Sequence, residues 1–227
     1  MPGTPSSIFS GTAGRMVFDM KGEKGYDARR FEADIKQITS HLIEKQKRYD
    51  RVAELTRDTI RAAALSITEL HNNSPEKAKK GIASMAPMLK ELQKLDAQFK
   101  HHSVQAYQEY AEAKILYTIK TSWEIPPHAE VGVEKEAYVL GLMDVMGELK
   151  REVIENLRAE DYGTADKCYG FMRSIYDTTR GMRFAESVLG GFRRKQDVAR
   201  IQLESAGSEI LFSKAKRRAS PRRAPSA

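Results

Sequence analysis

With 227 residues, of which 41% are hydrophobic and 30% charged, the chain is long enough for one sizeable core and has the balance of amphipathic helices, not of a β-sandwich. The single cysteine, Cys168, excludes an internal disulfide framework or cysteine-built zinc site. No run approaches the roughly 18 apolar residues of a membrane span, and the N-terminus lacks a signal-peptide layout, so a soluble, cytoplasmic protein with no membrane partner is expected. The net charge of +7 favours a polyanionic partner, yet Lys214, Lys216, Arg217, Arg218, Arg222 and Arg223 supply most of it, so a nucleic-acid site elsewhere has to be a local patch.

Residues 1–25 mix Gly, Ser, Thr, Pro and Lys without periodicity and read as a flexible arm. From Asp27 to Leu70 there is no Gly or Pro, and Phe31, Ile35, Ile38, Leu42, Tyr49 and Val52 recur at helical spacing. After a phase shift, Leu55, Ile60, Ile67 and Leu70 continue the stripe. A helix of roughly 65 Å, at about 1.5 Å per residue, exceeds what one domain of this size needs, so its stripe is expected to serve a subunit interface or a long bundle seam as well. Asn72-Asn73-Ser74-Pro75 ends this helix and starts a second, with Ser74 as cap, which runs to about Leu95 with a kink expected at Pro87. A third helix spans about Ala97–Thr121, and Trp123–Gly132, with Pro126 and Pro127, reads as a loop. Further helices are expected over about Val133–Arg158 and Asp161–Thr178, with one or two more from Phe184 to about Ala206. The fold class is therefore all-α with no sheet. The helical domain spans 26–211, and 212–227 form a disordered basic tail.

Two acidic pairs sit among apolar neighbours. Glu109 and Glu112 are three apart in the third helix, and Asp144 and Glu148 four apart in the next. Both spacings put a pair on one helical face with Cβ atoms about 5–6 Å apart. Carboxylates held so close repel unless something positive lies between them. If the two helices pack side by side, four hard oxygen donors converge, a set suited to Mg²⁺ or Mn²⁺, which could activate water against a phosphodiester. The same acids could equally belong to a solvated face. Gly141 and Gly147 flank the second pair; each costs about 1 kcal/mol against Ala inside a helix, and close approach of another backbone or a ligand is one reason to keep them.

At these residues the chain resembles the translin/TRAX family, and specifically its TRAX branch. Glu109-Tyr110-Ala111-Glu112-Ala113 matches the family's Glu-x-x-Glu helix, and Gly141 through Arg151 matches its Gly-x-x-Asp-x-x-Gly-Glu-Leu-x-Arg motif. Arg48–Asp58, Phe171–Asp177 and Gly207–Ile210 are similar to further family segments, so the likeness covers about residues 27–211. The resemblance implies a seven-helix, translin-like bundle in which Glu109, Glu112, Asp144 and Glu148 are the catalytic, Mg²⁺-binding acids. It also implies an octameric shell that encloses single-stranded RNA and cleaves it as an endoribonuclease. The short turn before Val133 and the Arg- and Pro-rich tail depart from eukaryotic TRAX. A complete acid set on a shorter chain looks like the archaeal TRAX-like members, in which one subunit type builds the assembly. A homo-oligomer is therefore expected, with a separate translin-type subunit as the alternative partner.

Phosphate contacts require Lys or Arg facing a common space. The candidates are Arg48, Arg51 and Arg57 on the long helix, Lys100, His101 and His102 entering the third helix, and Arg151 beside the acids. The first three arginines could instead pair with Asp50, Glu54 and Asp58. Trp123, Tyr107 and Tyr110 are either base-stacking or core aromatics. Two other function classes stand beside the nuclease: a non-catalytic RNA- or DNA-binding scaffold like translin, and a helical adaptor.

Overall fold

Asn72–Pro75, Pro126-Pro127 and Gly190-Gly191 punctuate an otherwise helix-favouring sequence, and helices lie on either side of each. A computed structural model describes residues 28–95 and 98–219. Among the described residues there are seven helices and no strand: α1 (Ala28–His71), α2 (Pro75–Leu95), α3 (Lys100–Ser122), α4 (His128–Val131), α5 (Lys135–Arg158), α6 (Tyr162–Thr179) and α7 (Phe192–Ala219). The all-α, seven-helix expectation holds, including the very long first helix of 44 residues. No described helix is long and apolar enough to cross a membrane.

The breaks have local causes. After α1, Asn73 takes a left-handed backbone with φ of 53°, which Asn tolerates well, and the Ser74 carbonyl accepts the first bonds of α2 from Lys77 and Ala78. The Ser74 hydroxyl turns back to the Asn72 carbonyl and does not cap the helix. Pro87 lies inside α2, which continues on either side of it. Asp161 caps α6 through a bond from the Thr164 amide at 3.0 Å.

Three expectations change. The Trp123–Gly132 loop contains the single-turn α4, set up by Pro127 at its N-cap with φ of −65° and closed by Gly132 at φ of 77°. Helix does not begin at Phe184: residues 182–185 have no regular structure, turns follow from 186, and Gly190-Gly191 delays α7 to Phe192. The basic tail is helical as far as Ala219, because no Gly or Pro follows Gly207 until Pro221 and Lys216, Arg217 and Arg218 complement the negative end of the helix dipole. The expected flexible arm at residues 1–25 lies outside the described residues, as does the rest of the tail, 220–227.

The chain divides into two compact units, between Lys45 and Gln46. In the first, the described residues are the opening turns of α1, where Phe31, Ile35, Ile38 and Leu42 are 50%, 45%, 52% and 54% exposed. In the second, the same helix buries Val52, Leu55, Ile67 and Leu70. There α5 is the central element and packs against α3, α6 and α7. Ile115, Leu116 and Ile119 of α3, Met146 and Leu149 of α5, and Met172 and Ile175 of α6 fill the core. Cys168 is buried in it, and burial pushes its thiol up to about 11, which makes it an inert apolar filler.

Candidate functional site

The two acidic pairs meet because α3 and α5 touch at Gly141. A Cβ there would stand 2.8 Å from both the Gln108 carbonyl oxygen and the Ala111 Cβ, and 3.0 Å from the Glu112 amide nitrogen. Glycine therefore brings the two backbones together at the level of the acids. Gly147 plays a related part toward α7, where its Cβ would meet the Gln202 amide at 3.1 Å.

Glu112 points into this contact. It is 8% exposed and has no hydrogen-bond or ion-pair partner among the described residues. Burial pushes its carboxyl up to about 8, with Asp144, Glu109 and Glu148 adding to the rise and Lys195 opposing it. The Glu109 carboxyl is also raised, first by burial and then by Asp144, against the amide of Gln105 and the Lys195 charge. Glu112 thus lies within electrostatic reach of Glu109, Asp144 and Glu148.

The α5 acids are held differently. Asp144 accepts from the Lys195 ammonium of α7 and from the Gln108 amide at 2.5 Å. Glu148 accepts from His71 Nε2 at 2.5 Å, and Glu152 from His71 Nδ1 at 2.7 Å. Each ring nitrogen faces a carboxyl oxygen, an arrangement that favours the protonated ring, and the bonds to Glu148 and Glu152 raise the His71 pKa against burial. Burial alone would raise the Glu152 carboxyl, but bonds from His71 and from Lys120, at 2.5 Å, together lower it. Lys120 also donates to the Leu70 carbonyl at 2.9 Å, fastening α3 to the end of α1.

With Asp144 and Glu148 turned to these cations, no three His, Cys, Asp or Glu side chains among the described residues stand in metal-ligand geometry. The donors themselves suit a hard divalent ion: four carboxylates, one of them buried without any counter-charge of its own. Lys195 and His71 escape a reading by spacing because they reach the acids from helices far away in sequence. The only local sign was Glu152, one turn beyond Glu148 on the same face.

The nucleic-acid candidates divide. Arg51 is bidentate to Glu91 of α2 at 2.7 and 2.9 Å and also bonds Glu54 at 2.7 Å, so it fastens α1 to α2, and the ion-pair alternative holds for it. Arg48, Arg57 and Arg151 are exposed. Lys100 pairs with Glu134 at 2.8 Å, and the rings of His101 and His102 lie 4.0 Å apart, with His102 edge-on to Tyr49. Tyr107 and Tyr110 belong to the core, whereas Trp123 is half-exposed, offset-stacked on Phe171 and covered by Lys167 at 4.9 Å. The cations closest to the acids are Lys195 and His71. Between α5 and α7 a cleft of about 380 Å³, lined by Asp144, Lys195, Arg194, Met143 and Val198, opens beside them.

Comparison with known proteins gives three kinds of likeness. The sequence pattern of the Translin family matches residues 47–206. An uncharacterized protein of Methanocaldococcus jannaschii is 28% identical over 182 residues, which cover 78% of this chain and 82% of that protein. Among solved structures, an AfC3PO–duplex RNA complex superposes with a TM-score of 0.72 at 22% identity, over 82% of this chain and all (100%) of the other. Apo-NeC3PO superposes with a TM-score of 0.54 at 20% identity, over 85% of this chain and 100% of that one.

Proposed function

Since the chain belongs to the translin family, we propose that it is a TRAX-like, metal-dependent endoribonuclease that works as a homo-oligomer, with Glu109, Glu112, Asp144 and Glu148 holding Mg²⁺ or Mn²⁺. The observation that carries this reading is Glu112: a carboxylate 8% exposed, facing three others, with no counter-charge of its own. Below about pH 8 the group avoids the cost of a buried charge by keeping its proton, and a divalent cation would take that proton's place.

A bound divalent ion supplies a water of lowered pKa and Lewis acidity toward a phosphoryl oxygen. The chain's residues supply the rest. Glu109 and Glu112 present oxygens from α3, Asp144 and Glu148 present theirs from α5, and Gly141 sets the gap between the two helices. Burial of Glu112 excludes water from one side of the site, leaving the side toward α7 for substrate. Exposed Arg48, Arg57 and Arg151, together with Lys100, His101 and His102, are the candidates for holding the strand farther out.

RNA is the proposed substrate because the AfC3PO chain of the same fold is seen in complex with duplex RNA. The motif resemblance implies single-stranded RNA, so both forms belong in the assay. The homo-oligomer is supported by the half-exposed apolar stripe at the start of α1.

The test is cleavage of labelled single-stranded and duplex RNA with Mn²⁺, Mg²⁺ or EDTA. Glu112→Ala and Asp144→Ala are expected to abolish cleavage while RNA binding persists; cleavage that survives both substitutions removes the four-acid site. A second reading, a non-catalytic RNA-binding scaffold, is favoured by the neutralisation of Asp144 by Lys195 and of Glu148 by His71. Binding that ignores EDTA, with no cleavage under any divalent ion, would establish it.

A further inference from the structure

The two halves of the acid site differ in what neutralises them. On α3, Glu112 has no partner among the described residues, and Glu109 has a long amide contact from Gln105 at 3.5 Å. On α5, both acids hold a cation, but the two cations are not held alike. The His71 side chain is 6% exposed and clamped between Glu148 and Glu152. Lys195 is 28% exposed, and among the described residues its ion-pair partner is Asp144 alone. Its flexible stem borders the α5–α7 cleft, next to Arg194, which has no ion pair among the described residues.

We propose that Lys195 is an exchangeable counter-ion: it neutralises Asp144 in the metal-free protein, yields that carboxylate to a divalent cation, and then takes a phosphate of the bound RNA in the cleft it shares with Arg194. The proposal rests on the metal reading above. A divalent ion among the four acids and the Lys195 ammonium compete for the same negative charge, and each repels the other at such distances. Lysine suits the exchange because its ammonium is a compact charge with three donors on a flexible stem, able to move between acceptors. The cleft offers the released ammonium a destination. Its volume of about 380 Å³ lies in the range of small-ligand sites, the Arg194 guanidinium has the fork geometry that matches phosphate, and Met143 and Val198 give an apolar wall against which a base or ribose fits. His71 is excluded from the same role because its side chain is 6% exposed and held at both ring nitrogens, by Glu148 and by Glu152.

The experiment measures Mn²⁺ affinity of the full-length, RNA-free protein by electron paramagnetic resonance, for wild type, Lys195→Met and Lys195→Arg, with Lys195→Gln as a second neutral variant and melting curves to verify folding. Removing the competing charge is expected to tighten Mn²⁺ binding about tenfold in the neutral variants, and to leave it near wild type in Lys195→Arg. Binding by Lys195→Met where wild type shows none supports the exchange equally. Unchanged or weaker affinity in both neutral variants, with wild type binding normally, overturns the exchange and leaves the metal site standing. No binding by any form overturns both. The second arm follows the salt dependence of binding to a labelled oligouridylate, with Ca²⁺ or with EDTA, checking that the RNA stays intact. Loss of Lys195 should reduce the slope by about 0.7, one single-strand phosphate contact, in Ca²⁺ only; identical slopes for wild type and Lys195→Met in Ca²⁺ overturn the phosphate contact.

Discussion

Glu112 is where a single side chain carries the largest consequence. In the metal-free fold its carboxyl keeps a proton up to about pH 8, because burial and the neighbouring Asp144, Glu109 and Glu148 disfavour the anion. In the unfolded chain the same carboxyl ionises near pH 4.5, its ordinary value. The folded state therefore binds the extra proton, and its stability contribution is full below pH 4.5 and is lost as pH rises toward 8. Metal-free protein is expected to melt progressively earlier between pH 5 and 8, and Glu112→Gln to flatten that dependence, gaining about 4 kcal/mol at pH 8. His71 works in the same direction, since its raised pKa means its ion pairs fade as pH rises through the folded value; the Glu112→Gln comparison separates the two. Mn²⁺ added at pH 8 should restore the melting temperature of wild type and not of the variant, because a ligand that binds only the native state stabilises it. A melting temperature indifferent to pH and Mn²⁺ would remove Glu112 from any ion site.

At the scale of helices, the spacing between α3 and α5 decides whether the acids converge at all. Gly141→Ala places a methyl 2.8 Å from backbone oxygen, which only movement of a helix relieves. Overpacking of that kind costs about 1–3 kcal/mol, partly offset by the better helix propensity of Ala. Gly147→Ala meets only the mobile end of Gln202 at 3.1 Å and should be close to neutral. The pair is read by denaturant unfolding, with metal affinity as the second measurement; equal effects from the two substitutions would contradict a backbone contact at Gly141. Arg51 belongs to this scale too. Its bonds to Glu91 and Glu54 tie α1 to α2 while all three side chains stay largely exposed, so Arg51→Ala should leave the unfolding midpoint nearly unchanged.

For the molecule as a whole, the opening turns of α1 present Ile35, Ile38 and Leu42 at about half exposure on one helical face, an arrangement natural for contact with a second copy of the chain. Ile35→Glu combined with Leu42→Glu is expected to lower the mass measured by light scattering while helix content is retained. An unchanged assembly mass would place the subunit contact elsewhere. The last turn of α7 carries Lys216, Arg217 and Arg218, all exposed.

Much of this was written in local pattern. The helices could be read from apolar spacing and from Asn73, Pro75, Pro126 and Pro127, because helix formation and its termination depend on near neighbours. The acid pairs were legible for the same reason, since residues three or four apart on a helix share a face whatever else the chain does. Helical order at residues 212–219 and its lack at 184–191 were misread, because weak local preferences there are settled by a missing breaker in one case and a Gly-Gly pair in the other. What no local pattern could hold is the identity of the groups opposite the acids. His71 lies 77 residues from Glu148 and Lys195 lies 51 from Asp144, and only packing of α1, α5 and α7 brings each across. The sequence by itself determined which helices form and which carboxylates face together; the tertiary structure alone decided which cations stand between them, because that depends on contacts between segments the chain keeps far apart.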